Sequence, residues 1–488
     1  MMSHTDSRIA FAAIAFATLF AASAHAQWSS DPANNLVIAD GDNEQVQPKL
    51  IATPDGGFYV SWFDNATGGY DVYLQRLDAG GNELWPHNGV LVADRDFSST
   101  EDYGLSIDSE GNALLAFGFH QSGISQVLVQ KVGPDGTLMW GDPGIFVSSD
   151  SADTHAPKIT DAASGNSAVG WTGSDGTVEV QKLDADGNPL WGPSGISIAP
   201  SSGIFFFADL HGDADGNVIV SWVPYLSGNS HQLWTQKLAA IDGANLWGVD
   251  PVKVFNGSGG ALQFGNFPGF LSDDAGGAVF VWYTVGASGQ VRAQHIFANG
   301  TAAYAQNGVL ASTDTSQNHF EPDGAFEPVT GDIYALWRET DALTQSQIGV
   351  YAQRIDGTGA RLWGDGGKAL VPLGPVDQTE MVALRVSTGG MLAAWSSDDF
   401  PNPTPLHAAR LDLDGNYVWP GEVVDFSTEP NDSGRLTGAI SQDGYAAYAW
   451  TAGAGTFAGD LHAQNVNMDG TLGVPVLDDI FGSGFDPP

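Results

Sequence analysis

A repeat of about 55 residues constrains the fold of this chain more than any other feature. An aromatic side chain in a β-like run, the first aromatic of each unit, recurs at Trp62, Phe117, Trp171, Trp222, Trp282, Trp337, Trp395 and Trp450. A glycine stands six residues before every one of them. A fixed period of this length is typical of an array of similar units, so each unit is interpreted as one supersecondary structure.

A second aromatic completes the pattern in seven of the eight units. It stands four residues after another glycine, at Trp85, Trp140, Trp191, Trp247, Tyr304, Trp363 and Trp419. The eighth unit has Val474 there, and Trp28 and Trp234 lie outside both patterns. Between the two aromatics most units carry Gln followed by Lys or Arg. Because these residues recur in every unit, we predict that the Trp side chains fill the contacts between units and that the Gln amides satisfy open backbone groups.

Short runs of β-branched and aromatic residues define the structure of each unit. In the first unit these runs cover residues 48–53, 58–62, 72–77 and 89–93 and are separated by Gly, Asp and Asn turns. Four short antiparallel strands, repeated eight times, predict an all-β fold: an eight-bladed β-propeller of four-stranded antiparallel blades. Seven blades plus a small module and a β-solenoid are the alternatives. Residues 35–40 resemble the fourth strand of the first unit but precede it, so we expect them to pair with the last unit and close the ring.

The beginning of the chain has the pattern of a secretory signal peptide. Arg8 precedes an apolar run over residues 9–22, and Ala24-His25-Ala26 forms an A-x-A cleavage site. The run has about 14 residues, fewer than the roughly 20 that a spanning helix needs. We therefore expect a signal peptide over residues 1–26, the propeller over 27–477 and a flexible tail over 478–488. The mature chain is expected in the periplasm or outside the cell, with no membrane span.

Charge and cysteine content narrow the classes of partner and chemistry. The chain has 57 acidic and 17 basic residues, a net charge of −40, and no cysteine. An acidic surface repels phosphate backbones, so we expect no nucleic-acid partner. The absence of cysteine excludes disulfides and thiol catalysis. A hydrophobic content of 42%, with 15 Trp, favours a packed chain over a disordered one. We expect a monomer that binds a protein or a glycan.

The first unit also resembles a known kind of repeat. Residues 57–92, with the pattern "W…YDVYLQRLDAGGNELWPHNGVLV", resemble tandem repeats of the form "W.D…DIYAQR…G…W…GV" in large secreted bacterial proteins. The resemblance extends over nearly the whole mature chain. It implies a β-propeller of the broad WD40-like or YVTN-like architecture. It implies no enzymatic activity, so no catalytic residue is carried over to this chain.

A binding site is expected on the face formed by the second-to-third loops and the blade-to-blade connections, because the unit length varies there. The connections place acidic residues just before the first strand of several units. Since first strands line the channel of a propeller, we predict that these acids ring its mouth. The candidate ligand-binding residues are Glu101, Asp102, Asp153, His155, Asp314, Glu321, Asp377 and Glu380, with two loop aromatics, Phe206 and Phe267.

Calcium is the one cofactor that the sequence leaves open. Three turns of the form Asp-x-Asp-Gly-Asn contain the weak metal candidates Asp184, Asp186, Asp213, Asp215, Asp412 and Asp414. They contain the start of an EF-type ligand set but lack its downstream Glu. They also coincide with turns of the repeat, where Asp and Gly are favoured for backbone reasons.

Catalytic signatures are missing from the sequence, which has neither a His-Glu-x-x-His pair nor a Gly-x-Ser-x-Gly elbow. We therefore predict a secreted, non-catalytic binding scaffold that recognises a protein, a glycan or a surface component. A carbohydrate-active hydrolase or lyase that uses loop carboxylates is the first alternative. A calcium-stabilised architectural surface protein is the second.

Overall fold

The computed structural model describes residues 27–95, 100–121, 123–148, 153–226, 230–263, 265, 267–286, 288–399, 402–453 and 458–475. The predicted signal peptide and the predicted tail lie outside these residues. The described residues form 34 β-strands and no helix. This part of the chain therefore contains no helix long and apolar enough to cross a membrane.

The strands form eight antiparallel sheets, which we number as blades. Strand β1 (Leu36–Ala39) comes first in the chain. Blade 1 contains β2 (Gln45–Ala52), β3 (Phe58–Asp64), β4 (Asp71–Leu77) and β5 (Val90–Ala93). Blade 2 contains β6 (Gly104–Ile107), β7 (Ala113–Gln121), β8 (Ile124–Val132) and β9 (Ile145–Phe146). Blade 3 contains β10 (Thr154–Asp161), β11 (Ser167–Gly173), β12 (Val178–Leu183) and β13 (Ile196–Ile198).

Blades 4 and 5 each have one additional short strand. Blade 4 contains β14 (Ile204–Gly212), β15 (Val218–Leu226), β16 (Ser230–His231), β17 (Leu233–Leu238) and β18 (Val252–Phe255). Blade 5 contains β19 (Ala261–Leu262), β20 (Gly269–Ser272), β21 (Ala278–Val285), β22 (Gln290–Ile296) and β23 (Val309–Leu310).

The last three blades return the chain to its starting point. Blade 6 contains β24 (Gln317–Glu327), β25 (Asp332–Asp341), β26 (Ile348–Ile355) and β27 (Lys368–Gly374). Blade 7 contains β28 (Asp377–Arg385), β29 (Met391–Asp398), β30 (Leu406–Leu411) and β31 (Val423–Ser427). Blade 8 contains β32 (Ser433–Ile440), β33 (Ala446–Ala452), β34 (Asp460–Val466) and β1.

The sheets form a closed ring, so the predicted eight-bladed β-propeller is confirmed and neither the seven-bladed alternative nor the solenoid describes the fold. The innermost strands β2, β6, β10, β14, β20, β24, β28 and β32 contact one another in this order around the ring, and β32 contacts β2. They surround the central channel. The blade-to-blade connections lead into them at one end of the channel, which we call the channel mouth.

The first strand begins earlier than its sequence pattern predicts. Strand β2 starts at Gln45 rather than at Pro48, because Pro48 lies inside a β-bulge between Val46 and Lys49. Proline lacks a backbone N–H, and an edge strand or a bulge tolerates it. The other three runs of the first unit agree with β3, β4 and β5 to within two residues.

The repeated Gln side chains satisfy backbone groups, as predicted. In blade 2 the Gln130 Oε1 atom accepts hydrogen bonds from the backbone N–H groups of Lys131 at 3.0 Å and Trp140 at 3.1 Å. Its Nε2 atom donates to the carbonyl oxygen of Gly141. Gln181, Gln236 and Gln353 make the same set of bonds in their own blades. The Gln therefore secures the connection between the third and fourth strands.

The second aromatics link neighbouring blades. Trp140 donates its indole N–H to the Ala185 carbonyl of the next blade at 3.0 Å, and Trp191 donates to Ala240 at 3.2 Å. Equivalent bonds are made by Trp85, Trp247, Tyr304, Trp363 and Trp419. The second aromatics of blades 1 to 7 thus fix each blade to its successor.

Blade 8 is completed by the N-terminal segment. Strand β1 pairs antiparallel with β34, as expected for a strand that closes the ring. Trp28 donates its indole N–H to the Ala79 carbonyl of blade 1 at 3.1 Å, which is the bond that a second aromatic makes elsewhere. A Cβ atom on Gly81 would lie 2.6 Å from the Trp28 ring, so only glycine fits this contact. Trp28 therefore takes the role that Val474 cannot fill.

Candidate binding site at the channel mouth

A β-bulge shapes the innermost strand near the mouth in five blades. It centres on one residue with a left-handed backbone, whose φ lies between 48° and 59°. These residues are Gln47, Ala156, Glu321, Glu380 and Arg435. A bulge redirects side chains relative to a regular strand, and bulges are frequent beside functional sites. The repeat thus has a local device that changes which residues face the mouth.

In every blade, one position of the innermost strand pairs with the residue just before the first aromatic. Where the strand has this bulge, the position lies two residues after the bulge centre. We call it the channel position. In blades 1 to 8 it is occupied by Lys49, Gly104, Lys158, Asp209, Gly269, Asp323, Val382 and Thr437. Cationic residues stand here in blades 1 and 3 and acidic residues in blades 4 and 6. The charge around the channel is therefore uneven.

The sequence analysis did not identify the charged channel positions. A signal was present, because the position falls 13 residues before the first aromatic in seven units and 14 residues before it in the sixth. Charged residues occupy it in four of the eight units, in a strand that lines the channel. Variation at a fixed position of an otherwise regular repeat is the pattern that would have indicated it.

Three charged side chains from neighbouring blades meet in the mouth. The Lys49 Nζ atom lies 2.7 Å from the Asp102 Oδ1 atom, and the Lys158 ammonium contacts Oδ2 of the same carboxylate. Lys158 also donates to the Tyr103 carbonyl at 3.1 Å. Partial desolvation works against the charged form of Asp102, but the two ammonium groups outweigh it and hold the pKa of Asp102 well below its usual range. Burial, together with the nearby Lys49 charge, lowers the pKa of Lys158.

A cavity of about 270 Å³ opens beside this cluster, between blades 8, 1 and 2. Its lining includes Gln47, Lys49, Asp102 and Arg435. The Gln47 Oε1 atom is buried and makes no hydrogen bond with a described residue. The cavity therefore presents cationic groups, one carboxylate and one amide oxygen to a ligand.

Two predicted site residues form a pair at the same side of the mouth. The His155 Nδ1 atom lies 3.3 Å from the Glu101 Oε2 atom, and the His155 side chain is 57% exposed. The hydrogen bond to Glu101 raises the pKa of His155 against the opposing effect of burial. Together with Asp102, this pair brings three of the predicted residues to blades 2 and 3.

A second charged group lies across the mouth on blades 6 and 7. The Arg338 guanidinium contacts the Asp377 Oδ1 atom at 2.6 Å and lies 4.0 Å from the Glu321 Oε2 atom. Both carboxylates are among the predicted site residues. Arg338 therefore neutralises part of the acidic ring that the sequence predicts.

Other acids on this side bridge neighbouring innermost strands. The Glu380 Oε2 atom accepts the Leu436 N–H at 3.0 Å, and the Asp323 Oδ2 atom accepts the Ala383 N–H at 2.7 Å. An innermost strand is an edge strand, so its free N–H groups need such partners. Burial raises the pKa of Asp323 to about 6. Glu380 thus has a structural contact in addition to its position at the mouth.

The remaining predicted residues lie further apart. Asp153 accepts the Ser125 N–H at 2.8 Å and so holds the second-to-third loop of blade 2. Asp314 accepts the backbone N–H of Ser316 at 2.9 Å within its own loop. Phe206 is half-buried against the core between blades 4 and 5, whereas Phe267 is 43% exposed. The structure does not bring these four side chains into one group with Asp102.

The metal candidates lie in turns on the opposite face. The first Asp of each turn, at Asp184, Asp213 and Asp412, accepts the N–H groups of the residues two and four positions later. Asp186, Asp215 and Asp414 are exposed. Within the described ranges, no three His, Asp or Glu side chains are arranged to hold a metal ion. The geometry of these aspartates is that of hydrogen-bonded turns.

A buried acid and a buried imidazole lie side by side in blade 6. The His319 Nε2 atom is 3.4 Å from the Glu339 Oε2 atom, and both side chains are at most 4% exposed. The Trp337 indole donates to Glu339 Oε2 at 3.1 Å. Burial raises the pKa of Glu339 to about 7 and lowers the pKa of His319 to about 4. Both groups are therefore largely uncharged in mildly acidic solution.

Replacing Glu339 by Gln is expected to stabilise the protein at alkaline pH. The pKa of Glu339 in the folded chain lies above its ordinary value of 4.5, so its contribution to stability is full below that pH and is lost as the pH rises through about 7. Glu339→Gln removes this loss and should gain up to about 3 kcal/mol at about pH 8 but little at about pH 4.5. Urea unfolding at both pH values measures the difference. If the gain in the free energy of unfolding of the variant over the parent chain does not grow with pH, this expectation is contradicted.

The fold and the mouth together define an eight-bladed β-propeller with a recessed, charged site at one end of its channel. Neither a protein-family model nor a curated protein sequence matches this chain. Among solved structures, an ulvan lyase described as a new family of polysaccharide lyase matches with a TM-score of 0.46 and 10% identity, over 90% of this chain and 96% of that one. An endo-arabinase from Bacteroides thetaiotaomicron matches with a TM-score of 0.33 and 13% identity, over 74% and 93% of the chains.

A third solved structure is an alpha-L-arabinofuranosidase from Fusarium graminearum. It matches with a TM-score of 0.38 and 10% identity, over 88% of this chain and 96% of that one. The resemblance drawn from the repeat is confirmed for the propeller fold, which the closed ring of eight sheets shows. With TM-scores below 0.5 these solved structures carry no argument about the function of this chain.

Proposed function

We propose that this chain is an exported binding protein that takes a glycan into the mouth of its propeller channel. The observation that carries the proposal is the meeting of Lys49, Asp102 and Lys158, from three blades, beside an open cavity of about 270 Å³. These residues differ from blade to blade, whereas Gln and Trp recur at the scaffold positions of most blades. Side chains that vary on a rigid scaffold are where specificity is expected.

The chemistry of the mouth favours a polyhydroxylated ligand. Charged groups and an amide oxygen that hydrogen-bond in a recess suit the many hydroxyl groups of a sugar. The net charge of −40 works against nucleic acid. A flat protein partner would contact the exposed rim of the mouth rather than the recessed Lys49. A glycan is therefore the partner class that the geometry supports best.

A panel of neutral and acidic oligosaccharides tests the proposal on the purified mature chain. For the oligosaccharides that bind, Lys49→Gln should weaken binding at least about tenfold, since charge-assisted hydrogen bonds are worth about 1.5–3 kcal/mol. Lys253→Gln is the matched control. Lys253 lies in the outermost strand of blade 4, where its ammonium packs over the Trp234 ring. Isothermal titration calorimetry measures both affinities. If no oligosaccharide binds, or if both variants bind equally well, a glycan site at the mouth is refuted.

A carbohydrate-active enzyme is the second candidate, and one observation favours it. The Glu101 and His155 pair lies beside Lys158, whose pKa is lowered by burial. An imidazole held by a carboxylate and an ammonium of lowered pKa are groups that can exchange protons with a bound substrate.

Incubation with each retained oligosaccharide separates the two candidates. An enzyme would release new reducing ends, or an unsaturated product that absorbs ultraviolet light, and His155→Ala would abolish that release while binding persists. A binding protein would return the oligosaccharide unchanged. The assay is followed by mass spectrometry of the products.

A further inference from the structure

One basic side chain of this acidic protein, that of Arg435, has no partner among the described residues. The chain has 17 Lys and Arg residues against 57 acids. In the part that the structure describes, Arg435 is the one basic side chain that makes no hydrogen bond, ion pair or ring contact with a described residue. A guanidinium has five N–H donors and stays charged at every relevant pH. An unpaired one among so many acids is therefore available to an anion from outside.

Arg435 lies in the innermost strand of blade 8, beside the cavity. It occupies the bulge centre of β32, with a φ of 59°, and its side chain is exposed. Its neighbour Leu436 is held in place because the Glu380 carboxylate accepts its N–H. Arg435 lines the cavity together with Gln47 and Lys49. The backbone below the guanidinium is thus fixed by the preceding blade, blade 7.

The two ammonium groups beside the cavity already have a partner. Asp102 is shared by Lys49 and Lys158, one carboxylate oxygen on each ammonium. This contact also demonstrates that the mouth accepts a planar carboxylate. An incoming carboxylate would meet Arg435 and the exposed part of Lys49, whose side chain is 29% exposed, while Asp102 remains neutralised by Lys158. The unpaired Gln47 Oε1 atom supplies an acceptor for a neighbouring hydroxyl group.

From this arrangement we infer that the channel mouth binds an anionic sugar residue of the uronic acid class. Its carboxylate pairs with Arg435, assisted by Lys49, and a ring hydroxyl donates to Gln47. A guanidinium offers two parallel N–H groups that match the two oxygens of a carboxylate, which gives both orientation and affinity. This inference rests on the proposed function, since it names the ligand class of the same site.

The test compares three probes by calorimetry on the mature chain: an oligogalacturonate, its neutral methyl ester and a sulfated oligosaccharide. The oligogalacturonate should bind at least about tenfold more tightly than its ester, and Arg435→Gln should lose that difference. Arg361→Gln is the matched control, because Arg361 pairs with Asp365 in the third-to-fourth connection of blade 6, on the opposite face. It should bind like the parent chain. Thermal unfolding of each variant verifies that the fold is retained.

The outcomes separate this inference from the proposed function. Equal binding of the ester and the acid, or undiminished binding by Arg435→Gln, overturns the uronate site. Neutral oligosaccharides that bind in a Lys49-dependent way would then still support a glycan site at the mouth. Preference for the sulfated probe through Arg435 overturns the carboxylate class. Failure of every oligosaccharide to bind overturns both proposals.

Discussion

Trp28→Ala is expected to lower the free energy of unfolding by about 3–5 kcal/mol. The Trp28 side chain is 2% exposed and packs edge-on against Phe58, with ring centroids 6.3 Å apart. Its backbone N–H donates to the Gly80 carbonyl at 3.0 Å, next to the indole bond to Ala79. Loss of the ring removes one of the contacts that tie blade 8 to blade 1. Urea unfolding measures the change in free energy.

The matched control for this variant is Trp85→Ala. Trp85 occupies the same position in blade 1, where the chain runs on without interruption to the neighbouring blade. Both variants should lose a similar packing energy, but only Trp28→Ala should release β1 from β34. Hydrogen exchange of the backbone amides of β1 distinguishes them. Equal protection of β1 in the two variants would show that Trp28 has no special role in closing the ring.

Lys131→Met is expected to destabilise the protein by about 3–5 kcal/mol, because it leaves a buried carboxylate without its counter-ion. The Lys131 Nζ atom lies 2.8 Å from the Asp108 Oδ2 atom, and the two side chains are 2% and 1% exposed. Burial works against the charge of Asp108, but Lys131 and Asn112 outweigh it and lower the pKa of Asp108. Without Lys131 the burial effect dominates, so the loss should shrink in acidic solution as Asp108 becomes protonated. Denaturant unfolding at neutral and acidic pH measures it.

Arg76→Met tests the same repeat position in blade 1, where the acidic partner is exposed to solvent. Arg76 pairs with Asp55, whose side chain is 57% exposed, so removing the pair should cost about 1 kcal/mol or less. The double variant Lys131→Met with Asp108→Asn should recover most of the stability lost by the single one. A loss for Arg76→Met as large as for Lys131→Met would mean that burial does not decide the contribution of this pair.

The repeat made most of the fold predictable. Glycines and aromatics at fixed spacing report local turns and strands, and these need no knowledge of distant residues. The break at Val474 and the unassigned Trp28 remained separate observations in the sequence analysis. They are two halves of one feature, but they lie at opposite ends of the chain. Only the closed ring brings them together.

The site was predictable in its place but less so in its members. The face and the mouth follow from the topology of a four-stranded blade, and Glu101, Asp102 and His155 lie there. Lys49 and Lys158 were missed because each lies in a different unit, about 55 residues from Asp102 in the chain. Their contact with Asp102 depends on how the blades pack. Bulges in the innermost strands then decide which side chains face the cavity. The fixed spacing of the channel position from the first aromatic was the one signal of that choice, and it becomes visible only when the units are aligned with one another.

The construction of blade 8 sets the order in which the protein can be made. Gln464 donates to the carbonyl of Ser29 at 2.9 Å across a separation of 435 positions. A nascent chain therefore carries β1 without its partner β34 until nearly all of it has been synthesised. Non-local pairing of this kind is slow and leaves apolar surface exposed in the interval. Protection of the early blades during synthesis is thus a requirement that follows from the late pairing of β1 with β34.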